Sequence, residues 1–395
     1  MQLNKFTIII PTRERAETLP YAIQACLNQT YQNLEIIVSD NFSQDNTAEV
    51  VKSFTDQRLK YFNTGKRLSM SENFDFALRN VHDGFVMFIG DDDAVIPDCL
   101  HWVNSIINRT KCEAIVSHNA FYTWPGTAAS DQMIISPYDG YEIRSSKEWI
   151  KKYLQFEMLY TFDLPGVYCG FVKKEILDNL SIKGSFFRSV TPDAYSALAV
   201  AASTDSYVFC HTPFALHGSS AKSNGAAYLS TEKNKEGNEV KLFFKENTIP
   251  LNPAIVMTKS FRVCSLEAFL QFCNEHPSLT EPYKVDWRKF LRFVLTERKE
   301  ATKIEIEEAV KKMCEMHNIS YQEICNNLPG RFINLSFNDI VKKMIFKARN
   351  FLSPRRTIIN DVTKYGVYNV RDAALLLKYL LVHERGAFVE KNYKN

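Results

Sequence analysis

Short apolar runs alternate with amphipathic stretches through the first hundred residues. Phe6 to Ile10 is a β-branched run halted by Pro11, and Leu19, Ala22, Ile23, Cys26 and Leu27 then repeat at helical spacing. Leu34 to Val38 predicts a second strand, Ala48 to Phe54 a helix, Leu59 to Phe62 a short strand, and Ser71 to Val81 another helix. Phe85 to Ile89 is a fourth apolar run, broken by Gly90 and three aspartates. Strands alternating with helices predict an α/β fold, a mostly parallel sheet flanked by helices. From Leu100 to Tyr207 the pattern is less regular, with helices expected at Ser146 to Gln155 and Pro192 to Ala202. Beyond Pro250 and Pro253 helical periodicity takes over. The expected organisation is therefore an α/β domain over residues 1–250 and an additional helical domain over residues 251–395.

Composition narrows the class. A 395-residue chain that is 45% hydrophobic and 24% charged has the balance of a globular protein. Its net charge of +3 gives no reason to expect nucleic acid as a partner. Nine cysteines, an odd number with no C-x-x-C pair, read as reduced thiols and point to a cytosolic setting. No apolar run has the length of a signal-peptide core or a membrane span, so any membrane contact is expected to be peripheral.

Ligands of open parallel sheets bind beyond the carboxyl ends of the strands. Polar clusters fall at those ends: Pro11-Thr-Arg13 after the first strand, Asp40-Asn41 after the second, Asp91-Asp-Asp93 after the fourth. Three adjacent carboxylates repel one another, and a hard cation such as Mg²⁺ or Mn²⁺ removes that repulsion. A nicotinamide dehydrogenase would need G-x-G-x-x-G after the first strand, and that loop has no glycine. A sugar nucleotidyltransferase would show a glycine-rich first loop, which is also missing.

Phe6 to Leu100 resembles the nucleotide-binding half of family 2 glycosyltransferases, which have the glycosyltransferase-A fold. The matching stretches are Thr7-Ile-Ile-Ile-Pro-Thr-Arg13, Ile36-Ile-Val-Ser-Asp-Asn-Phe-Ser-Gln-Asp-Asn-Thr47 and Phe88-Ile-Gly-Asp-Asp-Asp-Ala-Val-Ile-Pro97. The resemblance implies that Pro11, Thr12 and Arg13 wrap the nucleoside and that Asp40 recognises uracil. It puts Asp91 near the ribose and Asp92 and Asp93 on the metal, although the order among the three stays open. The common D-x-D-D pattern of the family would put its first aspartate at Gly90. Lys66, Arg67 and Asn73 occupy the segment that contacts the donor in similar enzymes.

Direct displacement at a sugar needs a carboxylate to take the proton of the attacking hydroxyl. Asp193 is the candidate: Thr191 suits an N-cap, Pro192 the first helical position, and the family usually opens a helix here with its base. His217 is the candidate third metal ligand, with His211 its competitor in a more apolar context. The small polar stretch Gly218 to Gly225 reads as a lid. The function implied is inverting transfer from a UDP-sugar to a hydroxyl of a glycan or lipid-linked glycan acceptor, in bacterial surface polysaccharide synthesis. The alternative is a catalytically inactive sugar-nucleotide-binding or scaffold module. Phe337, Ile340, Val341, Met344, Ile345, Ala348, Phe351 and Leu352 form an apolar stripe, and residues 331–360 hold seven basic side chains against one acid, Asp339. Such a helix packs on its own domain or lies on the inner face of the plasma membrane.

Overall fold

The computed structural model describes residues 2–127, 130–223, 245–328 and 358–388. The basic stripe expected over 337–356 lies outside them. Within these residues no helix is long and apolar enough to cross a membrane.

The strands expected in the first hundred residues are present as β1 (Phe6–Thr12), β2 (Leu34–Asp40), β3 (Leu59–Asn63) and β4 (Phe85–Phe88). Helices α1 (Leu19–Leu27), α2 (Thr47–Lys52) and α3 (Met70–Leu78) connect them. Pro11 does not halt β1, which runs on to Thr12. Pairing with β4 has ended at Ile9 opposite Phe88, so the missing N–H of Pro11 costs nothing on that side. The third helix starts at Met70 because Ser69 and Glu72 form a capping box: Ser69 N–H donates to Glu72 Oε2 at 2.9 Å, and Glu72 N–H to Ser69 Oγ at 3.3 Å.

Further along come β5 (Ala94–Val95), α4 (Cys99–Thr110), β6 (Ala114–Ser117), β7 (Ala120–Thr123), β8 (Met133–Ile134), β9 (Tyr141–Ser145), α5 (Ser146–Leu154), β10 (Gly170–Lys173), α6 (Lys174–Asn179), α7 (Pro192–Ser203), β11 (Ser206–Cys210) and β12 (Ala215–Ser219). The main sheet has the order β3-β2-β1-β4-β10-β6-β11-β9. The first four strands are parallel, β10 runs against both neighbours, and β6 and β11 are again parallel. Strand β6 therefore points the same way as β4. A second sheet, ordered β13-β8-β7-β12-β5, takes its outer strand β13 (Ile358–Ile359) from the far end of the chain.

The central strands are buried on both faces, which is why they read as continuous apolar runs. Ile8 and Ile10 face one apolar cluster with α1, α4 and the helix Val370–Tyr379; Ile9 faces another with α3, α5 and α7. That second cluster continues into α8 (Phe261–Glu275) and the helices Trp287–Thr296 and Lys303–Met316. At its polar edge Ser189 Oγ donates to the buried Glu267 Oε2 at 2.5 Å.

Candidate active site

The ends of β1, β2 and β4 bring their polar clusters to one edge. Asn41 N–H donates to the Thr12 carbonyl at 2.9 Å, and Thr12 Oγ1 donates to Asp91 Oδ2 at 2.7 Å. Asp40 is 1% exposed, and its carboxylate accepts from Ser43 N–H (2.9 Å), Tyr61 O–H (2.6 Å) and Asn63 Nδ2 (2.9 Å). A carboxylate has roughly four acceptor positions, so three are already used within the protein. Asn73 is buried and accepts from Ser39 Oγ at 2.8 Å, so it braces β2 against α3.

All three aspartates after β4 are buried, each in a different environment. Burial pushes Asp91 up to about 7, against the pull of Arg15 and the Thr12 hydroxyl, with Asp92 and Asp93 adding to the rise. Asp92 Oδ2 accepts from Ser220 Oγ (2.7 Å), Ser220 N–H (3.3 Å) and Ser223 Oγ (2.5 Å), while its carbonyl accepts from Trp124 Nε1 (3.0 Å). Asp93 accepts from Gly90 N–H (2.8 Å), Tyr168 O–H (2.5 Å) and Gly218 N–H (2.8 Å). Burial also raises Asp93, while His217 counteracts the rise.

His217 lies on β12 with Nδ1 3.3 Å from Asp93 Oδ1, yet that buried nitrogen makes no hydrogen bond. An orphaned imidazole nitrogen facing a carboxylate fits a shared cation. Asp93, Cys169 and His217 offer ligand atoms within 4.8 Å of one another, and of these the carboxylate and imidazole suit Mn²⁺ or Mg²⁺ better than the thiol does. His211 instead follows β11, with Nε2 3.7 Å from Glu142. The stretch read as a lid is, as far as Ser223, tied to Asp92 by its serines; Asn224 and Gly225 lie outside the described residues.

Two glycines shape this cluster. A Cβ at Gly218 would stand 1.7 Å from the Asp92 carbonyl oxygen, so β12 approaches the aspartate loop closely only as glycine. A Cβ at Gly90 would stand 2.9 Å from Asp92 Oδ1 and 3.0 Å from the Tyr168 hydroxyl. The side-chain ends of Asp92, Tyr168 and Asp93 thus crowd the space that a larger residue at this position would enter.

Asp193 lies in the first turn of α7 with Thr191 as N-cap and Pro192 at the first position. The Thr191 hydroxyl does not cap the helix; it donates to the Cys264 carbonyl at 3.3 Å. Burial raises Asp193, partly offset by Tyr160 O–H, which donates to its Oδ2 at 2.8 Å, and by the amides of the first helical turn. Asp193, Tyr160, Tyr168 and Cys169 line one cleft. Gly166 lets the segment carrying Tyr168 lie against α7, since a Cβ there would meet Ala197 Cβ at 3.0 Å. The carboxylate on α7 and the aspartates after β4 thus share a wall built from Tyr168.

Glu246 bridges two arginines: its Oε2 is 2.8 Å from Arg13 Nη1 and its Oε1 2.5 Å from Arg67 Nε. Lys66 is exposed. Tyr160, Tyr168 and Glu246 were not singled out by the sequence, and Ser220 and Ser223 only as part of the stretch read as a lid. Serines and tyrosines in irregular segments carry no periodic signal, and their roles depend on which strand ends they meet.

A mixed α/β sheet with buried carboxylates beyond its parallel strands defines a glycosyltransferase-A type fold, with helices added after it. Residues 7–174 match the model of glycosyl transferase family 2, and this part of the chain belongs to that family. A Campylobacter jejuni GalNAc(5)-diNAcBac-PP-undecaprenol beta-1,3-glucosyltransferase is 37% identical over 101 residues, 25% of this chain and 33% of that protein. An Escherichia coli UDP-Glc:alpha-D-GlcNAc-diphosphoundecaprenol beta-1,3-glucosyltransferase is 23% identical over 210 residues, 47% of this chain and 81% of that one. The first match thus spans only about a third of its relative's length. The structure of S. aureus TarS 1-349 in complex with UDP-GlcNAc covers 87% of this chain and 92% of its own, at 14% identity and a TM-score of 0.46, a likeness too distant to speak for the site.

Proposed function

We propose that the chain is an inverting glycosyltransferase that moves a sugar from a UDP-sugar to a hydroxyl of a lipid-linked glycan at the inner face of a bacterial plasma membrane, with catalysis carried by residues 1–250. The observation that carries this is the cleft lined by Asp193 and Tyr168, with the Tyr168 hydroxyl donating to Asp93 and so linking that cleft to the aspartates after β4. The two relatives, named as acting on undecaprenol-linked sugars, support the acceptor class.

In this reading Thr12 and Asp91 hold the ribose side of the donor, and Asp92, Asp93 and His217 would hold Mn²⁺ or Mg²⁺. A bound cation supplies charge neutralisation for the leaving diphosphate. Asp193 accepts the proton of the acceptor hydroxyl as its oxygen bonds to the anomeric carbon from the face opposite UDP, which departs with the bonding pair. A carboxylate raised by burial is a better base for that step than a solvated one. Tyr160 donates to Oδ2 and so fixes how the carboxylate is turned in the cleft.

Calorimetric titration of UDP, GDP, dTDP and CMP, with and without Mn²⁺, tests the donor site. Asp92→Asn is expected to abolish metal-dependent UDP binding, whereas Asp193→Asn keeps binding and loses transfer. Normal transfer by Asp193→Asn removes it as the base.

A further inference from the structure

Strand β6 points the same way as β4, so its carboxyl end opens on the same edge of the sheet as the aspartate cluster. Asn119 follows that end by two residues and lines the cleft that holds Asp193. It is 9% exposed, and its Oδ1 has no hydrogen-bond partner within the protein. A buried amide oxygen left unpaired loses its hydration without replacement, a loss that a ligand hydroxyl can recover.

Across the same cleft stands Phe162, half of its surface exposed. Its ring lies 5.1 Å from Tyr160, which is itself 5.6 Å from Phe261, so the exposed ring rests on a fixed aromatic base. An aromatic ring left open at a cleft that also holds a carboxylate and an orphaned amide asks for a ligand with one apolar face and hydroxyl donors. A pyranose ring has that chemistry: axial C–H bonds on one face, hydroxyls at its rim.

We infer that Asn119 and Phe162 form the subsite for the acceptor sugar, Phe162 stacking on the C–H face and Asn119 Oδ1 accepting from a hydroxyl that does not react. This deepens the proposed transfer and rests on Asp193 facing the acceptor. The two residues then set the angle at which the ring presents its nucleophilic hydroxyl to Asp193, so they determine specificity and take no part in the chemistry.

The test is saturation-transfer NMR on the full chain with UDP and Mn²⁺ present, using methyl β-glucoside, methyl β-N-acetylglucosaminide and methyl β-N-acetylgalactosaminide as probes. At least one probe is expected to receive saturation mainly on the protons of one ring face. Phe162→Ala and Asn119→Ala should each weaken that probe about fivefold to tenfold, and Phe162→Trp should retain it, with UDP affinity unchanged in all three. No saturation of any probe overturns the subsite, as does wild-type probe affinity in both alanine variants, or an equal loss of UDP binding. UDP binding is read in the same samples, so a chain that binds probes but no UDP refutes the donor assignment and leaves the subsite standing.

Discussion

Asp91→Asn should stabilise the metal-free protein, and by more at high pH than at low. The carboxyl is buried beside two others, and its pKa rises from 3.8 to about 7, with burial the main cause. The folded state therefore binds more protons than the unfolded chain between those two values, and stability falls as pH rises through that window. Integrated at about pH 8, the penalty is about 4 kcal/mol; at about pH 5.5, where the folded group is still protonated, it is about 2 kcal/mol. Asparagine removes the charge and keeps a carbonyl that can accept from the Thr12 hydroxyl, so little else is lost. Urea unfolding followed by tryptophan fluorescence in EDTA, for wild type and variant at both pH values, measures the difference directly. The gain on substitution should be larger at the higher pH by about 2 kcal/mol. An equal gain at both, or a variant less stable than wild type at pH 8, would refute the claim that the buried charge destabilises the fold.

Glu246→Gln removes the carboxylate that occupies Arg13 and Arg67. UDP should then bind about twofold to fivefold more tightly, the scale of a partly exposed ion pair, and weaker binding by calorimetry would mean that Glu246 positions the arginines instead. Tyr160→Phe deletes the O–H that lowers Asp193. The acid limb of the transfer rate should move to higher pH with UDP affinity unchanged, and an unmoved limb separates Tyr160 from the base. Gly218→Ala puts a methyl against the Asp92 carbonyl. A loss of about 1–3 kcal/mol in urea unfolding is expected, together with weaker Mn²⁺-dependent UDP binding; a variant equal to wild type in both would show that β12 can move away freely.

What could be read from the sequence followed from burial. Strands sandwiched between two layers must be apolar throughout, so β1, β2 and β4 stood out, and the polar residues at their ends marked the edge where the buried carboxylates gather. The aspartates and the Pro192-Asp193 helix start were legible for the same local reasons. The second sheet was not, because β5, β8 and β13 have two residues each and no period can show in two. Tyr168 was hidden too. It reaches Asp93 only because Phe88 N–H donates to the Val167 carbonyl and Cys169 N–H to the Phe88 carbonyl, a pairing between segments some eighty residues apart. The capping box at Ser69 and Glu72 was in plain view as S-x-x-E, and would have set the start of α3 one residue before the expected one.

The helix carrying Asp193 has two neighbours to answer to. Its inner side meets the sheet, and its outer side meets α8, where Ser189 just before it is fastened to Glu267 and Thr191 to the Cys264 carbonyl. A chain cut after residue 250 would leave that outer side open to water and Asp193 without its footing. An exchange of segments between relatives would then have to move α7 and α8 together, and a partner that pulled on the later helices would be felt first at the Asp193 carboxylate.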